Sequence, residues 1–128
     1  MDNFVIDSTS TTPEINFDFE KNIYVISGES YPENSDEFFR PLFEKLNKLS
    51  KIHNNESLKF IFKLVYFNSS SARALMKLFE LLDLIAESTD VLIEWYYHED
   101  DDMMEEFGND FNEDIINANF LLKSYKDE

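Results

Sequence analysis

Three consecutive serines, Ser69, Ser70 and Ser71, are the residues of this sequence best suited to chemistry. They follow a strand-like apolar run that ends at Asn68, and an amphipathic helical pattern begins at once. Backbone N–H groups and the helix dipole at such a junction favour an anion, including a phosphate. One serine could simply cap the helix, which is worth about 1 kcal/mol. Alternatively, an exposed serine could be phosphorylated, with Arg73 one turn further on to contact the phosphate.

Residue counts exclude several kinds of active site. The only glycines are Gly28 and Gly108, so glycine-rich loops that hold nucleotide phosphates are ruled out. There is no cysteine to act as nucleophile or metal ligand. His53 and His98 have no serine or carboxylate at a triad spacing, and the acidic run at 98–102 lacks the pattern of an EF-hand. We therefore expect no enzymatic activity, no metal and no cofactor.

Composition limits the fold and the partners. The 128 residues fit a single domain, 1–128, and 43% hydrophobic content with 13 phenylalanines excludes a disordered body. The formal net charge is −16, which repels nucleic-acid phosphates and anionic lipid. We therefore expect no nucleic acid and no membrane as partner, and a partner surface that is neutral or basic. No signal peptide or membrane-spanning apolar run is present, which indicates a cytoplasmic protein.

Apolar periodicity predicts an α/β fold, with a small mixed β-sheet and helices packed on it. Residues 1–13 are expected to form a loose N-terminal arm. The predicted order is β-β-α-β-α-β-α-β. The elements are expected at 14–19, 22–27, 34–49, 58–67, 70–86, 91–97, 103–113 and 119–125.

The strand at 58–67 is the centre of this prediction. It has large apolar side chains on both faces, which is typical of a strand covered on both sides. Helix 70–86 joins it to the strand at 91–97, and this order predicts a right-handed crossover between two parallel strands. Within the helix, the apolar stripe that includes Met76 is expected in the core.

The segment between the second strand and the first helix is a candidate docking edge. Gly28 is expected to open a loop, and Asn34 is expected to cap the helix that follows. Tyr31 and Pro32 would give exposed apolar surface beside that helix N-terminus, next to Glu33 and Asn34. The plainer interpretation of the same residues is a loop followed by a cap.

Three segments carry a resemblance to a known family. They read SGESYPENSDEFFRPL, LVYFNSSSARALMKLFELL and VLIEWYYHEDDDMMEEFG. Together they resemble the SiaC family of bacterial regulatory phosphoproteins, whose fold is similar to that of STAS domains, the anti-sigma-factor antagonists. The resemblance covers nearly the whole chain, and its most specific parts are Ser-Tyr-Pro-Glu-Asn and Tyr-Phe-Asn-Ser-Ser-Ser.

The resemblance implies a partner-switching module. The family's phosphoacceptor directly follows the asparagine that ends the central strand, which here places it at Ser69, after Asn68 and before Ser70, Ser71 and Arg73. It also implies a dedicated Ser/Thr protein kinase, a PP2C-type phosphatase, and an unmodified form that binds and activates a diguanylate cyclase. Ser70 is the alternative acceptor.

Three other functions compete with this one. One is a constitutive scaffold or adaptor in which the serine at 69 is only a cap. Another is a small enzyme that uses the acidic loop with a metal; a metal-dependent thermal shift would support it, and none is expected. The third is an anti-sigma-factor antagonist. STAS antagonists usually carry Asp-Ser-Ser/Thr-Gly at this position, and this chain has Asn68 in place of Asp and no Gly. A sigma-factor circuit therefore does not follow from the sequence.

Overall fold

A computed structural model describes residues 2–52 and 56–127. The strands are β1 (Phe4–Ile6), β2 (Glu14–Asp18), β3 (Ile23–Ser30), β4 (Leu58–Phe67), β5 (Val91–His98) and β6 (Asn119–Tyr125). The helices are α1 (Ser35–Ser50), α2 (Ser69–Ile85) and α3 (Asp102–Glu113). These bounds confirm the predicted α/β class and each predicted element from β2 onward to within a few residues.

All six strands form one mixed sheet in the order β1-β2-β3-β4-β5-β6. The first three strands are antiparallel, and β3 to β6 are parallel. The predicted parallel pairing of β4 with β5 is confirmed, with Leu58 opposite Val91 and Phe62 opposite Trp95. The carboxyl ends of the parallel strands therefore meet at one edge, where the serines lie.

The helices pack on one face of the sheet, which corrects the expectation that β4 is covered on both sides. Phe60, Phe62 and Leu64 are buried, whereas Val65 and Tyr66 are each 51% exposed. The β3–β4 register shifts between Gly28 and Glu29, so β4 carries an extra residue there. This bulge ends the alternation: Tyr66 turns out to solvent and Phe67 enters the core.

Long polar side chains protect the uncovered face of the sheet. Lys63 Nζ lies 5.3 Å from the ring centre of Tyr96 and 5.4 Å from that of Tyr125. The Glu94 carboxylate, almost fully buried, forms an ion pair with Lys123. The hydrogen bond to Glu94 raises the pKa of the Lys123 ammonium. Aliphatic stems and cation–π contacts let this face remain exposed to water.

Two details of the N-terminal half differ from the prediction. The expected loose arm is wrong for Phe4–Ile6, which pair with β2 as an edge strand. The expected loop opening at Gly28 is also wrong, because β3 continues to Ser30 through a Gly28 residue with φ of 110°. Glycine tolerates this conformation at low cost, so it can pass through the bulge.

Trp95 is the largest side chain at the centre of the core, and it joins α2 and α3 to the sheet. Its ring contacts Phe79 of α2 and Phe111 of α3, with ring centres 6.2 and 5.4 Å away. Its indole N–H donates to the carbonyl of Met104 at 2.9 Å. A Cβ on Gly108 would lie only 2.5 Å from the indole Cδ1 atom, so α3 approaches Trp95 as closely as a glycine permits.

We predict that Gly108→Ala destabilises the protein by about 1–3 kcal/mol, because the added methyl group collides with Trp95 and overpacks the core. Alanine has the better intrinsic helix propensity by about 1 kcal/mol, so an effect of propensity alone would have the opposite sign. Urea denaturation measures the free energy of unfolding. The control is Asn109→Ala, an exposed position of the same helix. A stabilised Gly108→Ala variant would contradict the packing described above.

Candidate functional site

Asn68 forms the turn between β4 and α2. Its backbone is extended, with φ of −89° and ψ of 177°. The Oδ1 atom accepts hydrogen bonds from the backbone N–H of Ser71 at 2.9 Å and from the Ser70 hydroxyl at 3.1 Å. Asn68 is therefore the N-cap of α2, and the interpretation of one of the three serines as the cap is wrong.

The N-terminus of α1 lies directly beside that of α2. Asn34 caps α1 as predicted, because its Oδ1 atom accepts from the backbone N–H of Glu37 at 3.0 Å. The next residue, Ser35, places its hydroxyl 2.7 Å from the hydroxyl of Ser70. Two helix N-termini thus meet through side chains that are 35 residues apart in the sequence.

A chain of serine hydroxyls fixes this meeting point. Ser71 and Ser30 are fully buried, and their Oγ atoms lie 2.8 Å apart. The Oγ atom of buried Ser35 lies 3.4 Å from that of Ser71. Asn68 N–H also donates to the carbonyl of Ser30 at 3.1 Å. The end of β3, the start of α1 and the start of α2 are therefore held together by hydrogen bonds, as buried hydroxyls require.

Ser69 differs from its two neighbours. Its side chain is exposed, and within 2–52 and 56–127 it makes no hydrogen bond, whereas the hydroxyls of Ser70 and Ser71 are both engaged. Ser69 and Arg73 are four residues apart on α2 and therefore lie on the same side of the helix. Of the three serines, Ser69 is the one whose hydroxyl is available to another molecule.

A surface depression of about 260 Å³ separates the first turns of α1 and α2. Arg73 and Lys77 of α2 line one side, together with Ser70. Glu33 and Asp36 line the side that belongs to α1. The depression thus offers two cations and two carboxylates within reach of a partner that covers this edge.

The predicted docking residues are brought to this edge, with one correction. Glu33 and Asn34 are exposed and line the depression. Tyr31 is 37% exposed, and its ring centre lies 5.7 Å from that of exposed Tyr66. Pro32, expected on the surface, is buried. Its pyrrolidine ring therefore belongs to the support of the loop and not to the exposed surface.

The other candidate sites have ordinary structural roles. Asp101 of the acidic run caps α3, since its Oδ1 atom accepts from Met104 N–H at 3.1 Å. No cluster of three or more histidine, aspartate or glutamate side chains suited to a metal ion occurs in the described part of the chain. His53 lies outside the described residues. Among those residues, no helix is long and apolar enough to cross a membrane.

Comparison with known proteins identifies the family. Residues 6–125 match the family described as "SiaC family regulatory phosphoprotein". The chain belongs to the SiaC family. An uncharacterised protein of Pseudomonas aeruginosa strain UCBPP-PA14 is 30% identical over 118 residues, which cover 89% of this chain and 90% of that protein.

Solved structures of SiaC itself have the same fold. The crystal structure of apo-SiaC from P. aeruginosa superimposes with a TM-score of 0.87 and 27% identity, covering 96% of this chain and 99% of that chain. A crystal structure of the P. aeruginosa diguanylate cyclase SiaD in complex with its activator SiaC matches through one chain. The TM-score is again 0.87 at 27% identity, with 95% of this chain and 99% of that chain covered.

Sequence reasoning missed Ser30 and Ser35, which complete the hydrogen bonding of this SiaC-family site. Each is a lone serine at the end of an element, and such residues are common in loops and at helix starts. The only sequence feature that pointed to them was their position next to the loop that the resemblance singled out. Ser35 is 35 residues from Ser70, and Ser30 is 41 residues from Ser71, so the sequence did not predict these contacts.

We predict that Asn68→Ala lowers the free energy of unfolding by about 1 kcal/mol, because α2 loses its N-cap. Ser69→Ala should change stability by less than about 0.5 kcal/mol, because that hydroxyl has no hydrogen bond to lose. Chemical denaturation of the two variants side by side checks both expectations. Equal losses in the two variants would contradict the assignment of Asn68 as the cap.

Proposed function

We propose that this SiaC-family protein is a non-enzymatic partner-switching regulator controlled by reversible phosphorylation of Ser69. The observation that carries the proposal is the exposed, unengaged hydroxyl of Ser69 beside two engaged serine hydroxyls. A kinase can reach Ser69 without breaking a hydrogen bond. Phosphorylation of Ser70 or Ser71 would instead disrupt the contacts that join α1 and α2.

The surroundings of Ser69 suit a phosphate. A phosphoserine carries about −1.5 to −2 charges. Backbone N–H groups in the first turn of a helix lack intrahelical partners and carry the positive end of the helix dipole. Arg73, four residues along the same side of α2, supplies a guanidinium for a charge-assisted hydrogen bond. A dianion at this position is thus stabilised by groups that already exist in the unmodified protein.

Phosphorylation would change the surface that a partner meets. The phosphate adds bulk at the edge where α1 and α2 begin, and it would occupy Arg73. A partner carboxylate directed at Arg73 or Lys77 would then be repelled. We propose that the unmodified form is the one that binds, and that this edge, including Tyr31, Glu33 and Asn34, forms the docking surface.

The proposed output partner is a diguanylate cyclase, with an effect on cyclic-di-GMP signalling. The support is the fold similarity to SiaC in the complex with the cyclase SiaD, where SiaC is the activator. We further propose a dedicated Ser/Thr kinase and a PP2C-type phosphatase, as the family resemblance implies. A constitutive adaptor is the competing function, and it loses support because Asn68, not Ser69, caps α2.

We predict that Ser69→Ala abolishes phosphate incorporation by the cognate kinase but leaves partner binding intact. Ser69→Asp should fold normally and bind the partner weakly, although a carboxylate has less charge than a phosphate. Mass spectrometry of the kinase-treated protein locates the phosphate, and Ser70→Ala serves as the matched control that remains phosphorylated. Stoichiometric phosphate on Ser70, or none on Ser69, Ser70 or Ser71, would overturn the assignment.

We also predict that Arg73→Glu weakens binding of the cyclase partner by roughly tenfold, equivalent to about 1.4 kcal/mol, while the melting temperature stays near that of the wild type. Tyr31→Ala should also weaken binding of the cyclase partner. Isothermal titration calorimetry measures the affinity. The matched control is Arg40→Glu, an exposed arginine of α1 that does not line the depression. If both arginine variants lose affinity equally, the interface does not depend on this edge.

A further inference from the structure

A second surface feature lies on the side of α2 that faces α3. It is a groove of about 460 Å³ between α2 and α3. Its apolar lining consists of Ala72, Met76, Phe79, Phe107, Phe111 and Ile115. Neither the SiaC-family resemblance nor the proposed Ser69 switch accounts for this groove.

Aromatic contacts below the surface form the floor of the groove. The rings of Phe79 and Phe111 meet with centres 5.0 Å apart, and Phe107 packs on Phe67 at 4.9 Å. Above these contacts the two helices leave space between them. Met76, which the sequence pattern placed in the core, is 49% exposed at the rim. The groove therefore presents apolar surface to solvent on a rigid base.

The rim of the groove is acidic. Glu80 and Asp83 lie on the α2 side, and Asp110 and Asp114 on the α3 side. Within 2–52 and 56–127, none of these four carboxylates forms an ion pair. Asp83 accepts hydrogen bonds from the backbone N–H groups of residues 116 to 118, so the other three are the available charges.

The negative charge extends well beyond the rim. From Leu78 to Leu122 the sequence has no lysine or arginine, and it holds 14 of the chain's 27 acidic residues. Neither α2 beyond Lys77 nor α3 carries a lysine or arginine, and none lines the groove. A partner that buries the apolar floor has to bring positive charge to the rim.

We propose that this groove is the docking surface for a basic amphipathic helix of a partner protein. Both walls are helices, whose backbone groups are paired internally, so the groove offers no edge for an added strand. Ala72 and Asp83 are 11 residues apart on α2, which corresponds to about 16 Å or three helical turns. That length accommodates apolar anchors at i, i+4 and i+7, with lysine or arginine on both sides of the stripe.

A second copy of this chain does not fit the groove. Each copy has a net charge of −16, and α3 of a second copy would place carboxylates opposite Glu80 and Asp110. The exposed face of α1 alternates in sign and has no continuous basic border, as Asp36, Arg40 and Glu44 show. Charge complementarity therefore selects a different, basic chain.

The test uses fluorescence anisotropy of a labelled synthetic helical peptide with leucine at i, i+4 and i+7 and lysine on both sides of that stripe. We expect saturable binding that weakens as salt is added, because the ion pairs are screened. A peptide with glutamate in place of lysine, and one with alanine in place of leucine, should each bind at least tenfold more weakly. Failure of the leucine–lysine peptide to bind would overturn the proposal.

Two matched double variants locate the peptide on the protein. Glu80→Lys with Asp110→Lys should weaken binding at least tenfold. Glu87→Lys with Glu106→Lys changes net charge by the same amount at exposed positions outside the groove, and it should have little effect. Equal losses would show non-specific attraction and overturn the proposal. Tight binding of the apolar dye Nile red would also overturn the proposal if the peptide does not displace the dye, because the groove would then be a small-molecule site. Phosphate incorporation at Ser69 is measured separately, so the two proposals can fail independently.

Discussion

The hydrogen bonding of buried serine hydroxyls is the constraint on which the candidate functional edge depends. Ser30, Ser35 and Ser71 are removed from water, and each must find a partner because an unsatisfied buried hydroxyl costs about 1–3 kcal/mol. They satisfy one another, which fixes the first turns of α1 and α2 side by side. Once Ser70 is also held by Ser35 and Asn68, Ser69 is the one hydroxyl of the triplet left facing solvent. The selectivity that we propose for Ser69 among three adjacent serines thus follows from packing.

Placement of the helices on a single face determines where partners can bind. The uncovered sheet face is shielded by lysine and tyrosine side chains, with Lys63 over the rings of Tyr96 and Tyr125. The helical layer instead exposes two different surfaces of α2. Arg73 and Lys77 face the depression beside α1, and Met76 and Glu80 face the groove beside α3. One helix therefore separates a depression of mixed charge, with its two cations on α2, from an acidic apolar groove.

The elements that sequence reasoning predicted well are those with strong local signals. The apolar run of β4, the asparagine cap at Asn34, and the helical period of α2 each depend on neighbouring residues. The features it missed depend on distant ones. The bulge opposite Gly28 reverses the alternation at Tyr66, and the partner of the Ser71 hydroxyl is 41 residues away. The prediction that Met76 lies in the core is wrong because the apolar period of α2 cannot show that α3 leaves a gap beside it.

The arrangement also explains how the proposed phosphate at Ser69 would act without refolding the domain. The N-cap of α2 is Asn68, so the helix start does not depend on the Ser69 hydroxyl, the proposed site of modification. The added charge would be screened over roughly 8 Å at physiological ionic strength, which is about one and a half helical turns. Its direct influence is therefore confined to Arg73 and the adjoining edge. A switch built in this way changes what the surface can bind while Trp95, Phe79 and the rest of the core stay as they are.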